Sequence, residues 1–194
     1  MTGTRRDFLK ASSATLGSAW LTAHWPALLA AAGVAREAQA AGAAFANLSA
    51  EDARDIEAIG AQIIPSDETP GAREAGVVYF IDAALGSFAA PRAGLLREGL
   101  AALNAKVKAA HQPATRFAAL DDATQIAVLK GEEAGEFFGN LHFLTIAGMF
   151  ALPSYGGNRD DIGWKLLGFD HRHVWAPPFG YYDAHAAGGH DGKS

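Results

Sequence analysis

Residues 153–169, PSYGGNRDDIGWKLLGF, hold the densest set of structural signals in the chain. Pro153 fixes its own φ, and the pair Gly156 and Gly157 supplies positive φ at no steric cost, so the stretch is predicted to open as a turn. Asn158 is then expected to cap a short helix, and Gly168 stands where a C-terminal cap would stand.

Two interpretations of this stretch are open. Its glycines, beside a Trp and a Tyr, indicate a backbone packed closely against something large. The stretch is either a tight turn that closes the core of its own domain or a docking surface for another subunit. The candidate docking residues are Tyr155, Gly156, Gly157, Asn158 and Trp164.

The composition predicts one packed, acidic domain. The 194 residues are enough for a single domain, and 49% hydrophobic residues with 19% charged residues favour a core over disorder. A formal charge of −5 argues against nucleic acid as a partner. Cysteine is absent, which excludes disulfides, thiolate catalysis, cysteine-ligated clusters and covalently attached haem on this chain.

The first residues have the pattern of a twin-arginine export signal. Paired arginines are followed by an apolar pair and a lysine, and then by an uncharged, alanine-rich run that ends at Ala35. That run is long enough to span a bilayer, but its modest hydrophobicity favours a signal peptide over an anchor. The motif residues are Arg5, Arg6, Phe8, Leu9 and Lys10.

An A-x-A cleavage site follows this run. Ala38 and Ala40 flank Gln39, so the mature chain is expected to begin at Ala41 and to reach the periplasm; an uncleaved anchor is the alternative. Removing residues 1–40 leaves 12 basic and 19 acidic residues and a formal charge of −7. The twin-arginine translocase carries folded proteins, so a chain without cofactor ligands could use it to export a partner that folds around a cofactor.

The rest of the chain is predicted to be mainly α-helical. After a linker, residues 41–47, apolar residues recur at helical spacing through residues 48–169, with no sustained period-two alternation. The fifth helix is apolar nearly all round and is expected to be central. We expect one compact domain of five to six helices: from Ser49 to Pro65, at about 73–85, 91–111, 121–131 and 132–150, and after Asn158.

The segment 170–194 differs in character. It begins aromatic and proline-rich, looks extended, and ends in a small-residue tail that is expected to be mobile. Trp175, Tyr181 and Tyr182 are further candidate docking residues, because Trp and Tyr are favoured at protein interfaces. The alternative is that this segment packs back on its own helices.

No residue set predicts catalysis strongly. His171 and His173, with His185 and His190, could hold a metal, but residues two apart do not share a helix face. His142 lies on the fifth helix and fits a buried, hydrogen-bonded histidine better than a catalytic base. Three further features fit ordinary structure: the Asp160–Asp161 pair, Ser154, and the Gly156–Gly157 pair.

These features together resemble the gluconate 2-dehydrogenase subunit 3 family. The resemblance covers residues 48–169 and rests on the Arg5–Arg6 signal, on Ile63-Ile64-Pro65 followed by Thr69-Pro-Gly-Ala72, and on the helix that contains Phe137-Phe138. Its most specific part is Tyr155-Gly-Gly-Asn158 with Gly163-Trp164-Lys165 and Gly168. Two departures are Ala147, where an acidic residue is expected, and the extension after Phe169.

The resemblance implies a non-catalytic small, or gamma, subunit with no cofactor of its own. In such complexes an FAD-containing large subunit of the glucose–methanol–choline type oxidises a sugar or alcohol. A multihaem cytochrome c subunit passes the electrons on, and the complex is membrane-associated. The flavoprotein is exported folded with the small subunit. The rival interpretation is a stand-alone periplasmic metal-binding protein or enzyme that uses His142, His171, His173 and Asp160.

Overall fold

A computed structural model describes residues 44–169. Six α-helices and no strand occur in this range. They are α1 (Ala50–Ile63), α2 (Val77–Leu85), α3 (Ala93–Ala110), α4 (Asp122–Lys130), α5 (Glu136–Phe150) and α6 (Ile162–Leu166). Four single 3₁₀ turns join them: Ala90–Arg92, Phe117–Ala119, Pro153–Tyr155 and Arg159–Asp161. The predicted mainly α, single-domain fold is confirmed.

Two helix starts are fixed by side-chain caps, at Ser49 and Asp121. The Ser49 hydroxyl accepts a hydrogen bond from the Asp52 backbone N–H at 3.0 Å, and α1 begins at the next residue. The Asp121 carboxylate accepts a hydrogen bond from the Thr124 N–H at 2.8 Å, and α4 begins at Asp122. Each side chain satisfies one of the N–H groups that a helix start leaves without a partner.

Other helix starts differ from the prediction. α2 begins at Val77 instead of residue 73, because Gly76 before it is left-handed, with φ 67°. α5 begins at Glu136 instead of residue 132, because the extended Gly135 interrupts the helical path. Pro91 lies in the 3₁₀ turn that leads into α3, so it precedes the helix instead of filling its first turn.

α5 is the central helix, as predicted. It packs against α1, α2, α3 and α6, and α4 packs against α1. Its buried residues include Phe137, Leu141, Leu144 and Met149, and they belong to the same core as the buried residues of α3, which are Leu96, Leu100, Leu103 and Val107. The core is thus built around one side of α5.

A buried ionic network ties α1 to α3 and to the segment before α4. The Asp55 carboxylate is fully buried and accepts hydrogen bonds from Asn104 Nδ2 (2.8 Å), from Arg116 Nε and Nη2 (3.0 and 2.7 Å) and from the Ala118 N–H (3.0 Å). Burial by itself would lower the pKa of Arg116, but hydrogen bonds to Asp52 and Asp55 outweigh it and raise the pKa. The guanidinium therefore stays charged and holds the network together.

A second carboxylate fixes the start of the described chain. Asp82 on α2 accepts the backbone N–H groups of Ala46, Asn47 and Leu48 at 2.8 to 2.9 Å. The Asn47 amide in turn donates to the Asp82 carbonyl oxygen at 2.8 Å. From Ala46 onward, the segment predicted as a linker is therefore held on the surface of the domain.

Candidate docking site

The stretch 153–169 is built against the C-terminal end of α5 through two glycines. A Cβ on Gly157 would lie 2.1 Å from the carbonyl oxygen of Gly148, and one on Gly163 would lie 2.0 Å from that of Met149. Both neighbours are backbone atoms, so no side-chain rotation could relieve either contact. Only glycine fits these two positions.

Asn158 fastens the same stretch from inside. Its side chain is fully buried; its Nδ2 donates to the Ala151 carbonyl at 2.9 Å, and its Oδ1 accepts from the Gly163 N–H at 2.7 Å. Asn158 does cap a short helix, as predicted, but from farther away than a usual cap. α6 begins at Ile162, and the Asn158 side chain bonds to the N–H of Gly163, the second residue of α6. One side chain joins the end of α5 to the start of α6.

The turn uses more left-handed residues than its glycines suggest. Gly156 has φ 91°, as predicted, but Gly157 has no positive φ, so that part of the prediction is wrong. Positive φ falls instead on Asn158, Asp160 and Asp161, at 46°, 55° and 59°. Asn and Asp tolerate this region better than other side chains, and the buried amide of Asn158 holds the turn in place.

Trp164 lies inside the domain. Its side chain is 8% exposed, its Nε1 donates to the Phe150 carbonyl at 2.9 Å, and its ring meets that of Phe169 edge-on at 5.5 Å between centroids. Gly168 has φ 67°, and the Phe169 N–H bonds to the Trp164 carbonyl at 2.8 Å, which completes the predicted C-terminal cap. Trp164 therefore anchors α6 to α5.

Apolar side chains at the end of α6 and near both ends of the stretch 153–169 are exposed to solvent, and so is Lys165 on α6 itself. Leu167 is 65% exposed, and Leu166 and Phe169 are also exposed. Leu152, just before the turn, is exposed as well. These four side chains are here called the outer α6 surface.

Of the predicted docking residues, five lie in the described range and they divide by burial. Gly156, Gly157, Asn158 and Trp164 are buried, and Tyr155 is half-buried against the core. They form the scaffold beneath the outer α6 surface. Trp175, Tyr181 and Tyr182 lie outside the described residues. The exposed leucines were not singled out from the sequence, because apolar spacing in a short helix does not show which of its sides is covered.

His142 lies elsewhere, in a surface groove of about 530 Å³ between α1, α4 and α5. It is half-buried, and its ring lies 6.0 Å from that of Phe138 between centroids. The groove lining mixes apolar and polar side chains: Gln62, Ile63, Ile126, Leu129, Lys130, Glu133, Phe138, Gly139 and His142.

Within residues 44–169 no group of three or more His, Asp or Glu side chains is placed to hold a metal ion. In the same range every buried side-chain nitrogen or oxygen has a hydrogen-bond partner. Asp160 is exposed in the turn near α6, whereas His142 lies in the groove farther along α5, and His171, His173, His185 and His190 lie outside the described residues.

The described residues form a mainly α-helical domain with exposed apolar side chains at and after its last helix. The family model for gluconate 2-dehydrogenase subunit 3 matches residues 50–170, and the chain belongs to that family. By its family it is an accessory subunit of a dehydrogenase complex. No curated protein and no solved structure gives a significant match. Across residues 44–169, no helix has the length and hydropathy to cross a membrane.

Proposed function

We propose that this chain is the non-catalytic small subunit of a periplasmic, FAD-dependent sugar or alcohol dehydrogenase. It stabilises the flavoprotein subunit and supplies the export signal for both. The observation that carries the proposal is the family match, which spans the helical domain from the start of α1 to the end of the stretch 153–169. The flavin belongs to the large subunit and haem c to a cytochrome subunit, through which the complex associates with the membrane.

The outer α6 surface is the proposed contact with the flavoprotein. It combines exposed leucines with a helix that is held in place. The close contacts of Gly157 and Gly163 and the two hydrogen bonds of the Asn158 amide hold α6 against the end of α5. A preorganised surface loses little conformational entropy on binding, so its apolar area converts more fully into affinity.

The function is tested by purifying the tagged chain from the periplasm. We expect a large flavoprotein to come with it in constant ratio, and the flavin absorbance and sugar or alcohol oxidation to follow that complex. The chain purified alone should be helical, colourless and inactive with an artificial electron acceptor. Flavin bound to the lone chain, or turnover by it, would overturn the accessory role.

The export role rests on the order of the signals at the N-terminus. The twin-arginine motif precedes an uncharged run and the cleavage site at Ala40–Ala41, all outside the described residues. Asp82 then fixes the chain from Ala46, so few residues separate the predicted cleavage site from the folded domain. A signal peptide joined so closely to a folded domain suits the twin-arginine translocase, which carries folded proteins and could carry a bound partner with them.

Replacing Arg5→Lys together with Arg6→Lys is expected to retain both this chain and its flavoprotein in the cytoplasm. The reason is that one signal serves two folded chains. Fractionation followed by immunodetection of both proteins measures the effect, and Arg36→Lys, also before the cleavage site but outside the motif, is the matched control. Normal export of the flavoprotein beside the double variant would refute shared export.

A further inference from the structure

α5 has a second apolar face that the described domain covers only in part. Gly139, Phe143, Ile146 and Phe150 recur at helical spacing on the side of α5 opposite to the buried Phe137, Leu141, Leu144 and Gly148. Phe143 is 37% exposed, Gly139 is exposed, and Ile146 and Phe150 are half-buried. No charged residue occurs between Glu136 and Arg159. A helix that is apolar on both sides is expected to be covered on both.

The groove continues this face at the N-terminal end of α5. Gly139 belongs to both, and the groove adds His142 and the apolar side chains of Ile63, Ile126 and Phe138. A Cβ on Gly139 would meet no atom within 4 Å, so the space above it is open. The groove volume of about 530 Å³ is ample for a large aromatic side chain.

The described chain leaves from the other end of the same face. α6 packs on Phe150 through Gly163 and the Trp164 indole, and Phe169 rests against Trp164. Along α5, Phe150 is about 16 Å from Gly139, at about 1.5 Å per helical residue. The 25 residues after Phe169 therefore start beside this second face.

We propose that residues 170–182 of the same chain cover this face and that the Trp175 side chain occupies the groove. Trp175 is the sixth residue after Phe169, and six extended residues reach about 20 Å, which matches the distance along α5. Pro177 and Pro178 favour an extended path and reduce the entropy lost on docking. This assigns Trp175 to the domain itself, whereas the outer α6 surface is left for the partner.

The full chain contains no cysteine, so an introduced pair reports on this contact alone. The test pair is Gly139→Cys with Ala176→Cys, treated with a short bismaleimide crosslinker and analysed by intact mass and peptide mapping. The control pair is Gly94→Cys with Ala176→Cys, because a Cβ on Gly94, in α3, also meets no atom within 4 Å.

Docking should raise the intramolecular yield of the test pair roughly tenfold or more above the control pair, through the higher effective concentration. Adding Trp175→Ala should bring the test pair down to the control yield. Equal yields in both pairs, or a test yield that Trp175→Ala does not change, would overturn the proposal. A crosslink between two copies of the chain, or one from the cysteine at 139 to the flavoprotein, would assign the face to another occupant and overturn it too.

Discussion

Gly157→Val is expected to destabilise the isolated domain by about 3 kcal/mol or more, at the upper end of what an overpacked site costs. The added Cβ would lie 2.1 Å from the Gly148 carbonyl oxygen and 2.8 Å from its carbon, so the turn and the end of α5 would have to separate. That separation would also break both hydrogen bonds of the buried Asn158 amide. The cause is lack of space, since Gly157 has no positive φ.

Thermal and denaturant unfolding of the purified domain measures this effect, and the other glycines supply the controls. Gly139→Ala adds a Cβ to a helix where no atom lies within 4 Å, so it should be neutral or stabilise by up to about 1 kcal/mol. Gly168→Ala also finds open space but has φ 67°, so it should cost about 1 kcal/mol. If Gly157→Val had the same unfolding midpoint as the parent protein, the close contact between Gly157 and the Gly148 carbonyl would be contradicted.

The sequence predicted those parts of the fold that local signals determine. The capping side chains Ser49 and Asp121 and the four-residue apolar spacing of α3 specify a helix start or a buried face within one or two turns. The central position of α5 followed from its composition. These features need no knowledge of the neighbours, because a cap or an apolar stripe is a property of one segment.

Features that depend on distant residues could not be predicted in this way. Asp55 and Arg116 are far apart in sequence, and each looks like an ordinary surface charge until the fold brings them together. The same holds for Asp82, which binds the N–H groups of the segment that was predicted as a linker. Gly157 looked like a turn glycine because a Gly–Gly pair suggests positive φ, whereas the requirement comes from Gly148.

The sequence alone did not show which residues of the stretch 153–169 are buried and which are exposed. The motif at residues 155–168 lies in the stretch that closes the core against α5, which agrees with the first interpretation, and the docking interpretation stays a prediction. Trp164 and Asn158 are buried, while Leu166, at the end of α6, and Leu167, just after it, are exposed to solvent. A helix as short as α6 carries too few residues for apolar spacing to show which side is buried.

Trp164→Ala is expected to destabilise the domain by about 3–5 kcal/mol, the range for truncating a large buried aromatic side chain. The substitution removes the packing on Phe169 and the hydrogen bond from Nε1 to the Phe150 carbonyl. Burial of this side chain places the main effect on folding, whereas its place in the motif alone had suggested a loss of partner binding. Because α6 is the element that carries the outer α6 surface, binding should fall with the folded fraction.

Leu167→Ser distinguishes an effect on partner binding from an effect on folding. Leu167 is 65% exposed, so its replacement should change the free energy of unfolding by no more than about 0.5 kcal/mol. It should nevertheless weaken binding of the flavoprotein by roughly tenfold, or about 1.4 kcal/mol. The measurement pairs an unfolding curve with an affinity titration for each variant. Parent affinity in Leu167→Ser would remove the outer α6 surface as the contact, and parent stability in Trp164→Ala would show that the indole is not an anchor of the fold.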